Sequence, residues 1–183
     1  MTLIMAVVRD NQCVLTGDYR RTKIDNLDEY YDDVPKVFKV NSNILIGFSG
    51  DLGVRFRLGK IINSLITKDT SIDDAAIKIS QWLKENTTKA EEQTVIFVGK
   101  AEDQQPIIIN VSHHNNYEVI RQQGTTHWFS SYCYICPNDD IEKEIDNIGS
   151  GLEDLVKLVT VINKKVSNTD KMVSPNCKVL YME

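Results

Sequence analysis

The sequence has 183 residues, 42% of them hydrophobic and 26% charged, with 21 Lys and Arg against 26 Asp and Glu for a net charge of −5. That length predicts one domain, residues 1–183, with a substantial core, since about 70% of the unfolded surface is buried at this size. The acidic balance argues against a general nucleic-acid binder, and no apolar run nears the roughly 20 residues that cross a bilayer.

Residues 3–8 are apolar at every position. A strand of this kind is covered on both faces. No basic leader precedes it, and Arg9-Asp10 ends it early, so it does not read as a signal peptide. The expectation is a cytoplasmic protein whose Cys13, Cys133, Cys136 and Cys177 stay reduced. Asp10-Asn11 reads as a turn into a second strand, Gln12 to Gly17. Residues 19–35 are polar and acidic, with Asp25, Asp28, Glu29, Asp32 and Asp33, and predict an irregular loop. Lys36 to Val40 and Asn43 to Phe48 predict a second hairpin.

Helices follow from apolar spacing. Leu58, Ile61, Ile62 and Leu65 mark one within 51–67. Its Arg55, Arg57 and Lys60 read as a solvated face or as partners for the acidic loop of a neighbouring copy. Ile72, Ala75, Ala76, Ile79 and Leu83 mark a second, capped by Thr70 or Ser71. Strands are expected at 94–98, 106–111 and 117–121, a third helix at 152–167 and a last strand at 178–182. Residues 125–137 are aromatic and ambiguous. Runs of strands and then helices predict an α+β layering, without a dinucleotide fingerprint. Cys133-Tyr-Ile-Cys136 is a CxxC whose other ligands are missing at zinc spacing, so it reads as thiols in an aromatic segment.

Thr2 follows Met1, and threonine is small enough for Met1 to be removed by ordinary processing. A terminal threonine holds a nucleophilic hydroxyl and an amine base, with an unperturbed pKa of about 7.7–8.0, on one residue. The segments that follow are Thr16-Gly17-Asp18-Tyr19-Arg20-Arg21-Thr22, Pro35-Lys36-Val37-Phe38-Lys39-Val40, Ile46-Gly47-Phe48-Ser49-Gly50-Asp51 and, later, Ile148-Gly149-Ser150-Gly151. In this order, with residues 2–66 near the same spacing, they resemble the proteasome β-subunit family of N-terminal-nucleophile hydrolases. They are also similar to the bacterial proteasome-like peptidase that works with an ATPase ring.

The resemblance implies a four-layer αββα sandwich of two antiparallel sheets. It implies Thr2 as nucleophile, Asp18 and Lys36 as a buried pair beside it, and the Gly50 amide as oxyanion donor. Ser150 would assist proton traffic, and Thr22 and Arg20 would bind substrate. The function implied is a threonine peptidase with no metal or organic cofactor, acting on peptide or unfolded protein. A homo-oligomeric ring, and an ATPase partner, come with it; nucleic acid and membrane do not. Two other readings remain: an inactive homologue serving as an assembly or binding module, and a small-molecule amidase. The family's late Asp-x-x-Ser pair has no match in spacing, since Asp170 and Ser174 are set differently. The carboxy-terminal helix layer is therefore expected to be reduced.

Overall fold

A computed structural model describes residues 2–23, 26 and 28–183. Met1 and Asp25, which enter the expectations above, lie outside the described residues. Strands β1 (Ile4–Arg9) and β2 (Gln12–Asp18) form the first hairpin. β3 (Arg20–Thr22) and β4 (Tyr30–Asp32) form a small one, and β5 (Val37–Asn41) and β6 (Ile44–Gly50) the next. Helices α1 (Leu52–Leu65) and α2 (Ile72–Asn86) follow, then β7 (Gln93–Lys100), β8 (Pro106–Ser112), β9 (Val119–Gln123) and β10 (Thr126–Ser131). The chain closes with α3 (Asn138–Ile145), α4 (Leu152–Ser167) and β11 (Cys177–Met182).

All the pairings are antiparallel. One sheet runs β10-β1-β2-β11 and the other β5-β6-β7-β8-β9, with β3-β4 apart. The apolar pattern stacks them. On β1, Ile4, Ala6 and Val8 point into the core between the sheets, where they meet Leu45, Ile96 and Ile108. Leu3, Met5 and Val7 point the other way, onto Ile141 of α3 and Leu155 and Val159 of α4. Both faces of β1 are therefore buried, as its unbroken apolar run requires. On the far side, Ile46, Phe97 and Ile109 meet Leu58 of α1 and Ala76 and Ile79 of α2. Each such aliphatic side chain contributes about 1.5–3 kcal/mol when fully buried. The result is the expected αββα sandwich.

Three segments differ from the sequence expectation. The acidic segment 19–35 holds β3 and β4 instead of an irregular loop. The ambiguous aromatic segment holds β10, which pairs with β1 from Ile4↔Ser131 to Arg9↔Thr126. The short α3 was not expected at all, and it joins α4 in the carboxy-terminal layer. No helix among the described residues is long and apolar enough to cross a membrane.

Candidate active site

β1, β2 and β5 converge at the start of the chain. Gly17 makes this approach feasible: a Cβ there would lie 2.9 Å from the Lys36 Cβ and 2.9 Å from the Val37 Cγ1. Lys36 is thereby brought under Thr2. Its Nζ donates to the Thr2 Oγ1 at 2.5 Å and to the Arg20 carbonyl at 2.6 Å. Thr2, Asp18 and Lys36 are all buried.

The Asp18 carboxylate is held by backbone. Oδ1 accepts from the Leu3 N–H at 3.0 Å, and Oδ2 from the Arg20 N–H at 2.7 Å and the Ser174 N–H at 3.2 Å. Burial pushes the Asp18 carboxyl up, and Lys36 and these three N–H groups hold it back. Burial pushes Lys36 below the usual 10.5; Asp18 opposes the fall and Arg55 adds to it. A lysine that parts readily with its proton, against a hydroxyl, can take up or stabilise charge on that oxygen. Opposed titratable groups of this kind in a cleft are a signature of functional sites.

A cleft of about 460 Å3 opens beside Thr2, with Gly50, Thr94, His113 and Ser131 in its walls. Gly50 sits at φ 118°, and a Cβ there would come within 2.1 Å of the Glu92 carbonyl oxygen. Only glycine tolerates that conformation and that approach. Asp51 then caps α1, its Oδ1 accepting from the Val54 N–H at 2.9 Å. The Gly50 backbone thus lies at a helix start beside the hydroxyl.

Arg20 needs a correction. Its guanidinium pairs with both Asp32 oxygens, at 2.8 and 2.9 Å, donates to the Lys171 carbonyl at 2.7 Å and stacks on Tyr30. The side chain is consumed in clasping β3, β4 and the 168–175 segment, so it is not free to bind substrate. Its backbone is at the site instead. Lys23 N–H donates to the Glu29 carbonyl, and Arg21 lies opposite Tyr31. Alternation along an antiparallel pair then turns the N–H and C=O of Arg20 and Thr22 away from β4. Arg20 uses both on Asp18 and Lys36. Thr22 presents the same edge one step further on.

Ser150 also needs a correction. It is exposed, in the turn before α4. The neighbouring carbonyls of Ile145, Ile148 and Gly149 accept from the Arg9 guanidinium at 2.8, 3.3 and 3.2 Å. Arg9 ends β1 seven residues beyond Thr2, roughly 23 Å away at strand rise. The Gly-Ser-Gly motif starts a helix at the wrong end of the strand. Three residues outside the proposed set stand at the right end. Ser131 lies opposite Ile4 and lines the Thr2 cleft. Ser174 touches Asp18 through its backbone. Asp170 is buried and accepts from the N–H groups of Tyr134 at 3.2 Å and Met172 at 2.9 Å. The signal for the last two was an Asp and a Ser near the family's spacing; Ser131 had none beyond its strand.

Among the described residues of the acidic segment, Asp32 pairs with Arg20, Asp33 with Arg21, Glu29 with Lys23 and Asp28 with Lys171, all within the chain. Among the described residues no three His, Cys, Asp or Glu side chains gather as metal ligands.

No protein-family model matches the sequence, and no curated protein does. Solved structures do match in shape. HslV from Trypanosoma brucei superimposes with a TM-score of 0.75 at 17% identity, over 99% of each chain. The Gly-1 mutant of Anbu from Hyphomicrobium sp. strain MC1 gives 0.80 at 14% identity, over 100% of this chain and 82% of that one. Anbu from Pseudomonas aeruginosa, solved as a helical assembly, gives 0.76 at 12%, over 99% and 81%. The chain has the proteasome β-type fold. At these identities the likeness speaks for the fold alone.

Proposed function

We propose that the chain is a threonine peptidase whose nucleophile is the Thr2 hydroxyl, exposed as the terminal residue once Met1 is removed. The observation that carries this reading is the 2.5 Å contact between Lys36 Nζ and Thr2 Oγ1 beside the backbone-held Asp18. The freed Thr2 amine takes the hydroxyl proton, and Lys36 steadies the developing alkoxide. Oγ1 attacks the peptide carbonyl, and the Gly50 N–H receives the oxyanion. The tetrahedral intermediate collapses, the amine leaves with a proton, and an ester remains on Thr2. Water then attacks the ester and restores the hydroxyl. An extended peptide pairs along the Thr22 edge of β3 as an added strand. Ser131, Asp170 and Ser174 hold the surroundings of Thr2 and Asp18 in place.

The substrate in this reading is peptide or unfolded protein, handled by a homo-oligomer in the manner of the assembled Anbu, with an ATPase as feeder. The inactive-module reading has one observation in its favour: Thr2 is only 2% exposed. One experiment separates the two. The chain is released from a cleavable fusion with Thr2 first, its mass is checked, and it is treated with a threonine-directed peptide electrophile. A peptidase gains one adduct, located on Thr2 and absent in Thr2→Ala. No adduct and no cleavage across a peptide panel would leave the assembly module standing.

A further inference from the structure

The buried stripe of α4 is apolar at Leu155, Leu158, Val159, Ile162 and Val166 and polar at Asn163. Asn163 is 0% exposed. A side-chain amide kept out of water needs partners, where an aliphatic side chain would need none. The Asn163 Nδ2 donates to two carbonyls of the turn into β11, Ser174 at 2.9 Å and Pro175 at 3.3 Å. Its Oδ1 has no hydrogen-bond partner among the described residues, so what the residue offers the core lies in what it donates.

That turn touches the Thr2 cluster. Ser174 is buried, and its N–H donates to Asp18 Oδ2 at 3.2 Å. This is the longest of the three backbone contacts on the carboxylate, and so the one most easily lost to a small displacement. The turn is pinned in two halves. Asp170 fixes the first: its Oδ1 accepts from the Met172 N–H at 2.9 Å, and its carbonyl from the Val173 N–H at 3.0 Å. Asn163 fixes the second. Among the described residues the charges that act on Lys36 are Asp18, Arg55 and Asp32, none of them on α4. A change at residue 163 therefore reaches Lys36 through Ser174 and Asp18.

We infer that Asn163 is a positioning residue of the Thr2 site. By holding the Ser174 carbonyl it keeps the Ser174 N–H on Asp18, and Asp18 in turn sets the charge that Lys36 brings to the Thr2 hydroxyl. The inference rests on the threonine-peptidase reading for its effect on cleavage, and the test keeps the two apart.

The test uses the full chain with Thr2 at its terminus and its lysines carbon-13-labelled. The Lys36 resonance is assigned by its loss in Lys36→Met, and its titration is followed by NMR. Asn163→Leu keeps the branched shape and removes the donor. With Asp18 held less firmly, the Lys36 titration is expected to move to lower pH. On a reporter peptide kcat should fall by about tenfold to a hundredfold, with KM within about twofold. Leu158→Ala is the control: Leu158 is buried on the same helix and lines the groove between α3 and α4. It should lose stability and leave the Lys36 titration and kcat unchanged. A folded Asn163→Leu chain with an unmoved Lys36 titration overturns the inference, as does an equal shift in Leu158→Ala. Where Asn163→Leu does not fold, Asn163→Ala decides by the same criterion. If the parent chain cuts no peptide and reacts with no electrophile, the peptidase reading has failed by itself. The titration then decides alone: a shift in Asn163→Leu sustains the positioning of Asp18 and Lys36, and no shift ends it.

Discussion

At the Thr2 end of β1 the chain buries Asp18, Lys36, Asp170 and Ser174. At the Arg9 end it leaves Ser150 exposed and ties the turn with one half-buried guanidinium. A cleft of about 1250 Å3 lies beside that second end, between Asn43, Lys100, Gly151 and Tyr181, and dwarfs the one at Thr2. Size alone points to the Arg9 end. What distinguishes the Thr2 end is charge kept out of water at a cost, with the Asp18 carboxylate held by the Leu3, Arg20 and Ser174 N–H groups. In the proposed reading, that buried charge serves the Thr2 hydroxyl.

The contrast is broken first through the nucleophile. Thr2→Ala should lower peptide cleavage on the order of 10^4-fold or more while the fold is kept. Cleavage that survives would move the chemistry elsewhere. Next comes the carboxylate. Asp18→Ala strands the Leu3, Arg20 and Ser174 N–H groups and leaves Lys36 without its counter-charge, and should cost about 3–5 kcal/mol in urea unfolding. A loss below 1 kcal/mol would mean that the buried pair is not coupled. Gly50→Ala should cost about 1–3 kcal/mol from backbone strain alone, with the clash against Glu92 added, and it should lower activity together with stability.

Lys36 sharpens the comparison through pH. Its folded value is depressed below 10.5. Between that folded value and 10.5 the unfolded chain binds the extra proton, so this group makes stability rise with pH across that window. Subtracting the profile of Lys36→Met from the wild-type profile should isolate the rise. A flat difference would show that Lys36 keeps its ordinary affinity for a proton. In cleavage, the same depression places Lys36 deprotonation below the ordinary lysine value.

Much of this was legible because it rests on periodicity. The apolar runs of β1 and of β6 to β8, buried on both faces, and the stripe Ile72, Ala76, Ile79, Leu83 each carry their packing in their pattern. What was not legible rests on other forces. β3 and β4 are joined by ion pairs, Arg20 with Asp32 and Arg21 with Asp33, so no apolar pattern announces them. α3 offers only Ile141 and Ile145 to the core in two turns. At the site, Thr2, Asp18 and Lys36 stand in an ordered run near the amino terminus. Ser174 reaches Asp18 across 156 residues through its amide, a contact indifferent to its side chain and invisible to a motif. Gly149-Ser150-Gly151 misled for a physical reason: a small-residue turn is what starts α4, whatever lies nearby.

The smallest expected effect falls at the opposite end of β1. Ser150→Ala removes an exposed hydroxyl in a turn whose hold on Arg9 comes from backbone carbonyls. Stability should move by no more than about 0.5 kcal/mol, and peptide cleavage should be unchanged. Arg9→Gln is the informative companion, because it releases three carbonyls at once and should cost about 1–2 kcal/mol without touching kcat. If Arg9→Gln slowed cleavage while Thr2, Asp18 and Lys36 kept their geometry, the two ends of β1 would be coupled through the strand. The division between a chemical end and a structural end would then be wrong, however well each was described alone.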